Sequence, residues 1–565
     1  MAPLRWQCPP SCGTTFRSST MPAANCTCSN RMAPMFRWLR RRSLTMNKLA
    51  LTTALSLALA ATFAQAAEIV PVNFDDPGEG YNDPTPALPV GGNPGTTIGE
   101  QRLIVAQFAA DLWGSVLQSD VPVFVGAQFN PLGANVLGSA GATFVFRNFP
   151  GAGVANTWYS SALADALAGE DLQPGFIDIN SQFSSDFTFY LGLDGNTPAG
   201  QVNFLDVVMH EFGHGLGFQN FENEAAGTFL SGIPDIYSTF TFDNSTGKRW
   251  TQMTVAERQA SALNFGKVIF DGPSAVAGAA LTLGPRTAFR VVAPLAIAGD
   301  LEFGTASFGP AATPSNFAGM VVLASPANGC NTLDNPAAIA GNIAIIDRGT
   351  CAFALKAANA QAAGASAVII ANNTTANPPP GLGGSDPTIA IPTVSVTQAD
   401  GALLKGALPG VQVGLVVDPS KLQGADDAGR PRLFMPNPVQ PGSSGSHYDS
   451  AMLPNALMEP AINATLFSAF NIDITPNLLH DTGWSLNNGN AKIGDCDTTI
   501  DVVDAAGIIV GANVQATSNL CLSKASNRGS YQSCMDNYKD GLLAAGLITG
   551  KQGGKMMSCA AKLGK

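Results

Sequence analysis

The sequence predicts an α+β chain, and three observations predict it. Apolar residues recur at helical spacing over residues 100–118 and again over 201–215. Between them, short apolar runs at 121–125, 143–146 and 176–179 read as strands. The 60 glycines and 38 prolines among 565 residues, of which only 13% are charged, fit a chain of many turns rather than a helical bundle. A hydrophobic share of 45% excludes a disordered polymer. The net charge of −11 argues against nucleic acid as a partner, because phosphates attract basic surfaces.

The charge is unevenly spread. Residues 1–67 hold no Asp or Glu, and they hold eight basic residues: Arg5, Arg17, Arg31, Arg37, Arg40, Arg41, Arg42 and Lys48. Removing those eight from the net charge of −11 leaves −19 for residues 68–565. Met46 and Lys48 precede an apolar run from Leu49 to Phe63, which ends in Ala64-Gln65-Ala66. This pattern reads as a secretory signal peptide with cleavage near 66–68. The run is shorter than the roughly 20 residues of a comfortable membrane span, and an uncleaved anchor is the alternative. Residues 1–45 read as an upstream start or an extended n-region, and Arg41-Arg42 alone is a weak twin-arginine signal. The expected setting is secreted, extracellular or periplasmic, with no stable membrane span after cleavage.

The elements follow in order. Residues 68–97, rich in Pro, Gly, Asn and Asp, read as an extended arm. The helix over 100–118 places Leu103, Ile104, Phe108, Leu112, Val116 and Leu117 on its apolar face. The helix over 201–215 has Asn203 as its N-cap. Residues 290–420 alternate β-rich runs with one Ala-rich helix, and 421–490 read as loops and short helices. The domain boundaries expected are a leader at 1–67, a first catalytic part at 68–290, an inserted domain at 291–420, a second catalytic part at 421–490 and a tail at 491–565. Cys8, Cys12, Cys26 and Cys28 lie upstream of the signal, leaving an even six beyond it: Cys330, Cys351, Cys496, Cys521, Cys534 and Cys559. An even number suits disulfides in an oxidising compartment. The four tail cysteines allow three pairings, which the sequence leaves open. Asp495, Asp497, Asp501 and Asp504 lie close together, but the calcium-loop pattern is missing, so calcium is an option without a motif behind it.

The central motif is His210-Glu211-Phe212-Gly213-His214. On a helix, positions i and i+4 share a face, so both imidazoles reach one cation. Glu211 stands beside the first ligand, where it can act as general base toward a metal-bound water. Two of the chain's four histidines form this motif. A catalytic zinc site takes three protein ligands plus water. Asn220 stands at the position where the long form of the motif carries its third histidine, and a neutral amide oxygen is a poor zinc ligand. His447 and His480 are the other candidates.

The motif continues Gly215-Leu216-Gly217-Phe218, and far downstream come Ser446-His447-Tyr448 and Leu457-Met458-Glu459-Pro460. Together these resemble the leishmanolysin-type metzincin zinc metallopeptidases over about 95–290 and 425–490. The resemblance implies that His210, His214 and His447 bind one zinc ion and that Glu211 is the base. It also implies that Gly217 makes the turn after the helix and that Met458 forms a methionine floor under the metal. Tyr448 stands where that family usually has Trp, and the family's dense disulfides are absent from this region.

A second resemblance covers about 295–418. Ile343-Ala344-Ile345-Ile346-Asp347-Arg348-Gly349-Thr350-Cys351, an Ala-rich helix, Ala367-Val368-Ile369-Ile370-Ala371 and Ile391-Pro392-Thr393-Val394-Ser395-Val396 are similar to the protease-associated (PA) domain. It implies an α/β module that is a lid, a substrate-binding element or a spacer. Within it Cys330 and Cys351 are expected to pair. The fold expected is therefore a metzincin-type zinc peptidase domain interrupted by an α/β PA domain, with a small disulfide-bonded, mainly helical tail. The function expected is a secreted zinc endopeptidase acting on protein or peptide substrates. The alternatives are a zinc aminopeptidase-type hydrolase, or a non-catalytic binding protein on a peptidase scaffold.

Overall fold

The computed structural model describes residues 65–462 and 465–563. The expected leader, its four cysteines and nearly all of the signal peptide lie outside the described residues. Among the described residues no helix is long and apolar enough to cross a membrane.

The first region packs helices on a small mixed sheet. Strand β1 (Ile69–Asn73) opens it, so the expected arm begins as a sheet strand. Helix α1 (Ile98–Val116) follows, its N-terminus capped by the Thr97 hydroxyl, which accepts the Glu100 N–H. Then come β2 (Val123–Asn130), β3 (Gly138–Ala142), helix α2 (Ser161–Ala168) and β4 (Ile179–Ser184). The sheet order is β1-β2-β4-β3, with the first three strands parallel and β3 antiparallel at the edge. Two expected strands are displaced: the run at 143–146 forms a strand only at Val145–Phe146, and the run at 176–179 only leads into β4.

Helix α3 (Phe204–Gly215) lies against this sheet and is buried along its whole length. Asn203 caps it as expected, its Oδ1 accepting the Leu205 N–H at 2.9 Å. Gly215 allows the close approach, because a Cβ there would lie 2.2 Å from Ile179 Cγ2. Two buried tryptophans hold α3 by its main chain. Trp113 Nε1 donates to the Met209 carbonyl at 3.0 Å, and Trp484 Nε1 to that of Leu216 at 2.7 Å. A short helix, α4 (Pro273–Thr282), completes this region before the insertion.

The insertion is built on a sheet of eight strands: β5 (Pro285–Ala293), β6 (Gly299–Leu301), β7 (Gly304–Thr305), β8 (Ala318–Leu323), β9 (Ile343–Asp347), β10 (Ala367–Ala371), β11 (Thr393–Val396) and β12 (Gln412–Leu422). Their order is β6-β5-β12-β8-β9-β10-β11-β7, and β8 to β11 run parallel. The Ala-rich helix α5 (Phe353–Ala362) crosses between β9 and β10, whose apolar runs are buried on both faces as parallel strands require. Cys330 and Cys351 are disulfide-bonded beside it.

The last region holds α6 (Thr475–Thr482), a hairpin of Asn490–Ile493 with Cys496–Asp501, and helices α7 (Val510–Lys524), α8 (Arg528–Ala544) and α9 (Gly550–Leu563). The disulfides Cys496–Cys559 and Cys521–Cys534 resolve the pairing that the sequence left open. This tail is helical as expected, yet it is not detached. Val502, Ile509, Ala512 and Ala516 belong to the same core as α1 and α3, and Lys524 pairs with Glu100 on α1 at 2.6 Å.

Trp484→Phe keeps most of the buried ring but leaves the Leu216 carbonyl without its donor. It is expected to lower unfolding stability by about 1–3 kcal/mol, measured by urea denaturation of the full chain.

Candidate metal centre

Helix α3 puts His210 and His214 one turn apart on one face. Gly217 then takes φ +123°, a backbone that favours glycine, just past the end of the helix. There Phe218 reaches back, and its carbonyl accepts the Nδ1–H of His214 at 2.8 Å. A carbonyl can only accept, so this contact fixes the tautomer and leaves Nε2 with its lone pair. His210 does the same with the Leu457 carbonyl at 2.6 Å, and His447 with that of Ser443 at 2.9 Å.

The three Nε2 atoms therefore face one another. His214 Nε2 lies 3.0 Å from that of His210 and 3.2 Å from that of His447. Among the described residues this is the group of His, Cys, Asp and Glu side chains close enough to share a metal ion. All three imidazoles are fully buried. Burial, reinforced by neighbouring histidines, holds His210 and His447 well below the ordinary imidazole range, and burial lowers His214 to about 4. Rings that resist protonation at neutral pH keep the lone pairs a cation needs.

Glu211 stands beside them, fully buried, and neither carboxylate oxygen has a hydrogen-bond partner in the protein. Burial alone drives its carboxyl well above the usual range. A Cβ on Gly138, in edge strand β3, would fall 2.6 Å from Glu211 Oε1, so that strand is small-residued where it faces the carboxylate. An orphaned carboxylate next to three converging neutral imidazoles fits a zinc ion with its water, since nitrogen donors and a nearby base are the usual set.

Met458 packs under α3: a Cβ on Gly213 would lie 2.8 Å from its sulfur. Its carbonyl also accepts the Tyr448 N–H at 2.8 Å, joining the Met458 segment to the loop that carries His447. His480 stays apart, its Nδ1 donating to the Trp484 carbonyl at 2.9 Å. Asn220 is outside the cluster too, its N–H donating to the Ser446 hydroxyl at 3.2 Å.

Sequence reasoning missed the side chains that hold the outer turns. Asp473, fully buried with φ +48°, accepts the Leu457 N–H at 2.5 Å and so anchors the residue whose carbonyl receives His210. Asp206, in the first turn of α3, accepts both the N–H and the hydroxyl of Ser468. Asp449 pairs with Arg432 at 2.6 Å, two residues past His447. The signals for these residues are faint, since each is an isolated polar residue with no spacing rule behind it.

Known proteins resemble parts of this chain. The family model of the PA domain matches residues 317–404. Leucine aminopeptidase 2 of Trichophyton rubrum is 37% identical over 102 residues, 18% of this chain and 20% of that protein. An ER degradation-enhancing alpha-mannosidase-like protein 3 of Homo sapiens is 55% identical over 47 residues, 8% of this chain and 5% of that protein. The chain thus spans about a fifth of the length of the curated leucine aminopeptidases it matches, or less. Among solved structures, a zinc aminopeptidase from Bacillus subtilis is 24% identical over 26% of this chain and 36% of its own, with a TM-score of 0.20, a superposition too slight to relate the folds. The leishmanolysin-type resemblance stays a resemblance of motif residues. The chain carries a PA domain, and the proteins it matches over part of their length include leucine aminopeptidases and a signal peptide peptidase-like protein of Arabidopsis thaliana.

Proposed function

We propose that the chain is a zinc-dependent peptide hydrolase in which His210, His214 and His447 hold the metal and Glu211 is the general base. The observation that carries this reading is the convergence of three tautomer-fixed imidazoles beside a buried carboxylate without a protein partner. A zinc ion held there supplies Lewis acidity and a water with a pKa near 7. Glu211 takes a proton from the attacking water and passes it to the amine of the departing fragment. The carbonyls of Leu457, Phe218 and Ser443 keep each ring oriented, and the dry surroundings strengthen every charge interaction at the site. Gly217 and Met458 act on the framework, the one turning the chain and the other supporting α3.

Two readings of the scissile bond divide this class. A single three-histidine cluster suits a one-metal endopeptidase. The relatives favour an aminopeptidase, because leucine aminopeptidases recur among them. Short matches to a mannosidase-like protein and to a signal peptide peptidase-like protein weigh against resting the choice on those relatives alone, since likeness over a short stretch does not fix a chemistry. The third reading, a non-catalytic binding protein, is disfavoured by the intact Glu211.

Three measurements follow. Glu211→Gln should keep one zinc per chain by metal analysis while peptide hydrolysis falls by about 10²–10⁴-fold; unchanged activity would remove Glu211 from the base role. His447→Ala should lose its zinc to a mild chelator and Asn220→Ala should not, and the reverse would reassign the third ligand. An N-acetylated, denatured protein cut at internal bonds is the outcome expected of an endopeptidase. Release of N-terminal residues from free amines alone would establish the aminopeptidase.

A further inference from the structure

We propose that Glu302, in the PA-domain insertion, is a positioning residue for His447, acting through Arg432 and Asp449. The proposal rests on the zinc reading above. The third histidine reaches the site on a loop that has no regular secondary structure of its own, so something outside it must hold it. Its main chain is pinned to the segment that follows the insertion. Leu433 and Tyr448 form an antiparallel bridge, Phe434 N–H donates to the His447 carbonyl at 2.9 Å, and Asp449 N–H donates to the Arg432 carbonyl at 2.9 Å.

The side chains add a charged clamp to that ladder. Asp449 is fully buried, and its Oδ2 lies 2.6 Å from Arg432 Nη2. The other arm of the same guanidinium, Nη1, lies 2.7 Å from Glu302 Oε1. One planar cation therefore spans two carboxylates, one inside the protein two residues past His447, the other 130 residues earlier in the chain. A guanidinium is a rigid fork, so fixing one arm sets the plane of the other. Glu302 in this way determines where Arg432 presents its second arm to Asp449.

The neighbourhood leaves the guanidinium little freedom. Gly266, at φ +74°, presses its backbone against the pair: a Cβ there would lie 3.3 Å from Glu302 Oε1 and 3.4 Å from Arg432 Nη1. The Phe265 ring covers Arg432 with its centroid 5.7 Å from Cζ. Arg432 is only 9% exposed along its side chain, whereas Glu302 is 42% exposed and faces a groove of about 1350 Å³ between the insertion and the loops leading to His447. An isolated pair with a carboxylate this exposed contributes little. This one differs because its cation is shared with a buried carboxylate on the metal-site loop.

The test uses the full chain loaded with cobalt(II) in place of zinc. Affinity is read by chelator competition, geometry by the visible absorption bands, and folding by the thermal midpoint of the metal-free protein. Glu302→Gln should weaken cobalt binding about tenfold, in the range seen when a group behind a ligand is removed. It should also shift the visible bands and leave the metal-free midpoint in place. Asp300→Asn, which removes a neighbouring exposed carboxylate paired with Arg290, should change neither affinity nor bands. Wild-type affinity and bands in Glu302→Gln would overturn the proposal while leaving the zinc reading intact. An equal loss in Asp300→Asn, or a loss matched by a lowered midpoint, would also overturn it. Failure of the wild-type protein to bind cobalt would overturn both.

Discussion

Three hydrogen bonds from imidazole N–H groups to main-chain carbonyls set the geometry on which the rest of the structure depends. A histidine ring left to itself rotates and exchanges tautomers, and a cation needs neither. Here the Leu457, Phe218 and Ser443 carbonyls each take a Nδ1–H, so every Nε2 points inward. Each carbonyl in turn belongs to a turn held by something else. Phe218 depends on the positive φ of Gly217, and Leu457 depends on Asp473. Ser443 sits in a turn whose N–H groups at Ser443 and Ser444 both donate to the Gln440 carbonyl.

That requirement explains how a large insertion can sit between His214 and His447. The loop carrying His447 comes after β12, so the ends of the insertion must leave and return at nearly one point. They do so as neighbours, because Pro285 on β5 stands opposite Leu422 on β12. An antiparallel entry and exit adds almost no span to the region holding the three histidines, however long the excursion between them. The junction is stitched to the loops around the histidine cluster as well: Gly284 N–H donates to the Leu453 carbonyl at 2.7 Å, five residues before Met458. The tail braces the far side, with Asn513 Nδ2 donating to the Ala469 carbonyl at 2.7 Å. The regions are thus parts of one scaffold around the three rings.

Much of this was legible where chemistry follows local spacing. Helix α3 shows its cap, its apolar run and both histidines within twelve residues, and with so few histidines in the chain the third had few candidates. The buried strands of the insertion were legible for the same reason, being short runs of Ile, Val and Ala. Strand β3 was not. Its sequence Gly138-Ser139-Ala140-Gly141-Ala142 has no β-branched residue, because its position against Glu211 rewards small side chains over strand propensity. β4 reads Ile-Asn-Ser-Gln-Phe-Ser, and its polar residues are satisfied by partners such as the Gly126 carbonyl, which accepts from Ser181. The tail suggested a separate module because its cysteines cluster, but cystine spacing carries no information about which core a helix shares. Asp473 and Arg432 stayed hidden because their partners lie 16 to 130 residues away in the chain.

The carboxylate of Glu211 is the strongest sign that the arrangement is chemical rather than architectural. Burying a polar group without a partner costs several kcal/mol, and a charged one costs more. The other buried acids in this region lower that cost with donors: Asp206 from Ser468, Asp473 from Leu457 and Thr475, Glu459 from Ala456. Glu211 has none on either oxygen. A scaffold kept only for binding would fare better with an apolar residue at that position, since α3 is otherwise packed on all sides. Retaining an ionisable group there makes physical sense if a cation and its water offset the penalty, since the free energy of binding a metal ion adds directly to that of folding. The PA domain says little about the reaction, because a fold does not by itself fix a chemistry. The reaction class has to be read from four buried side chains, and the one without a partner is the most informative of them.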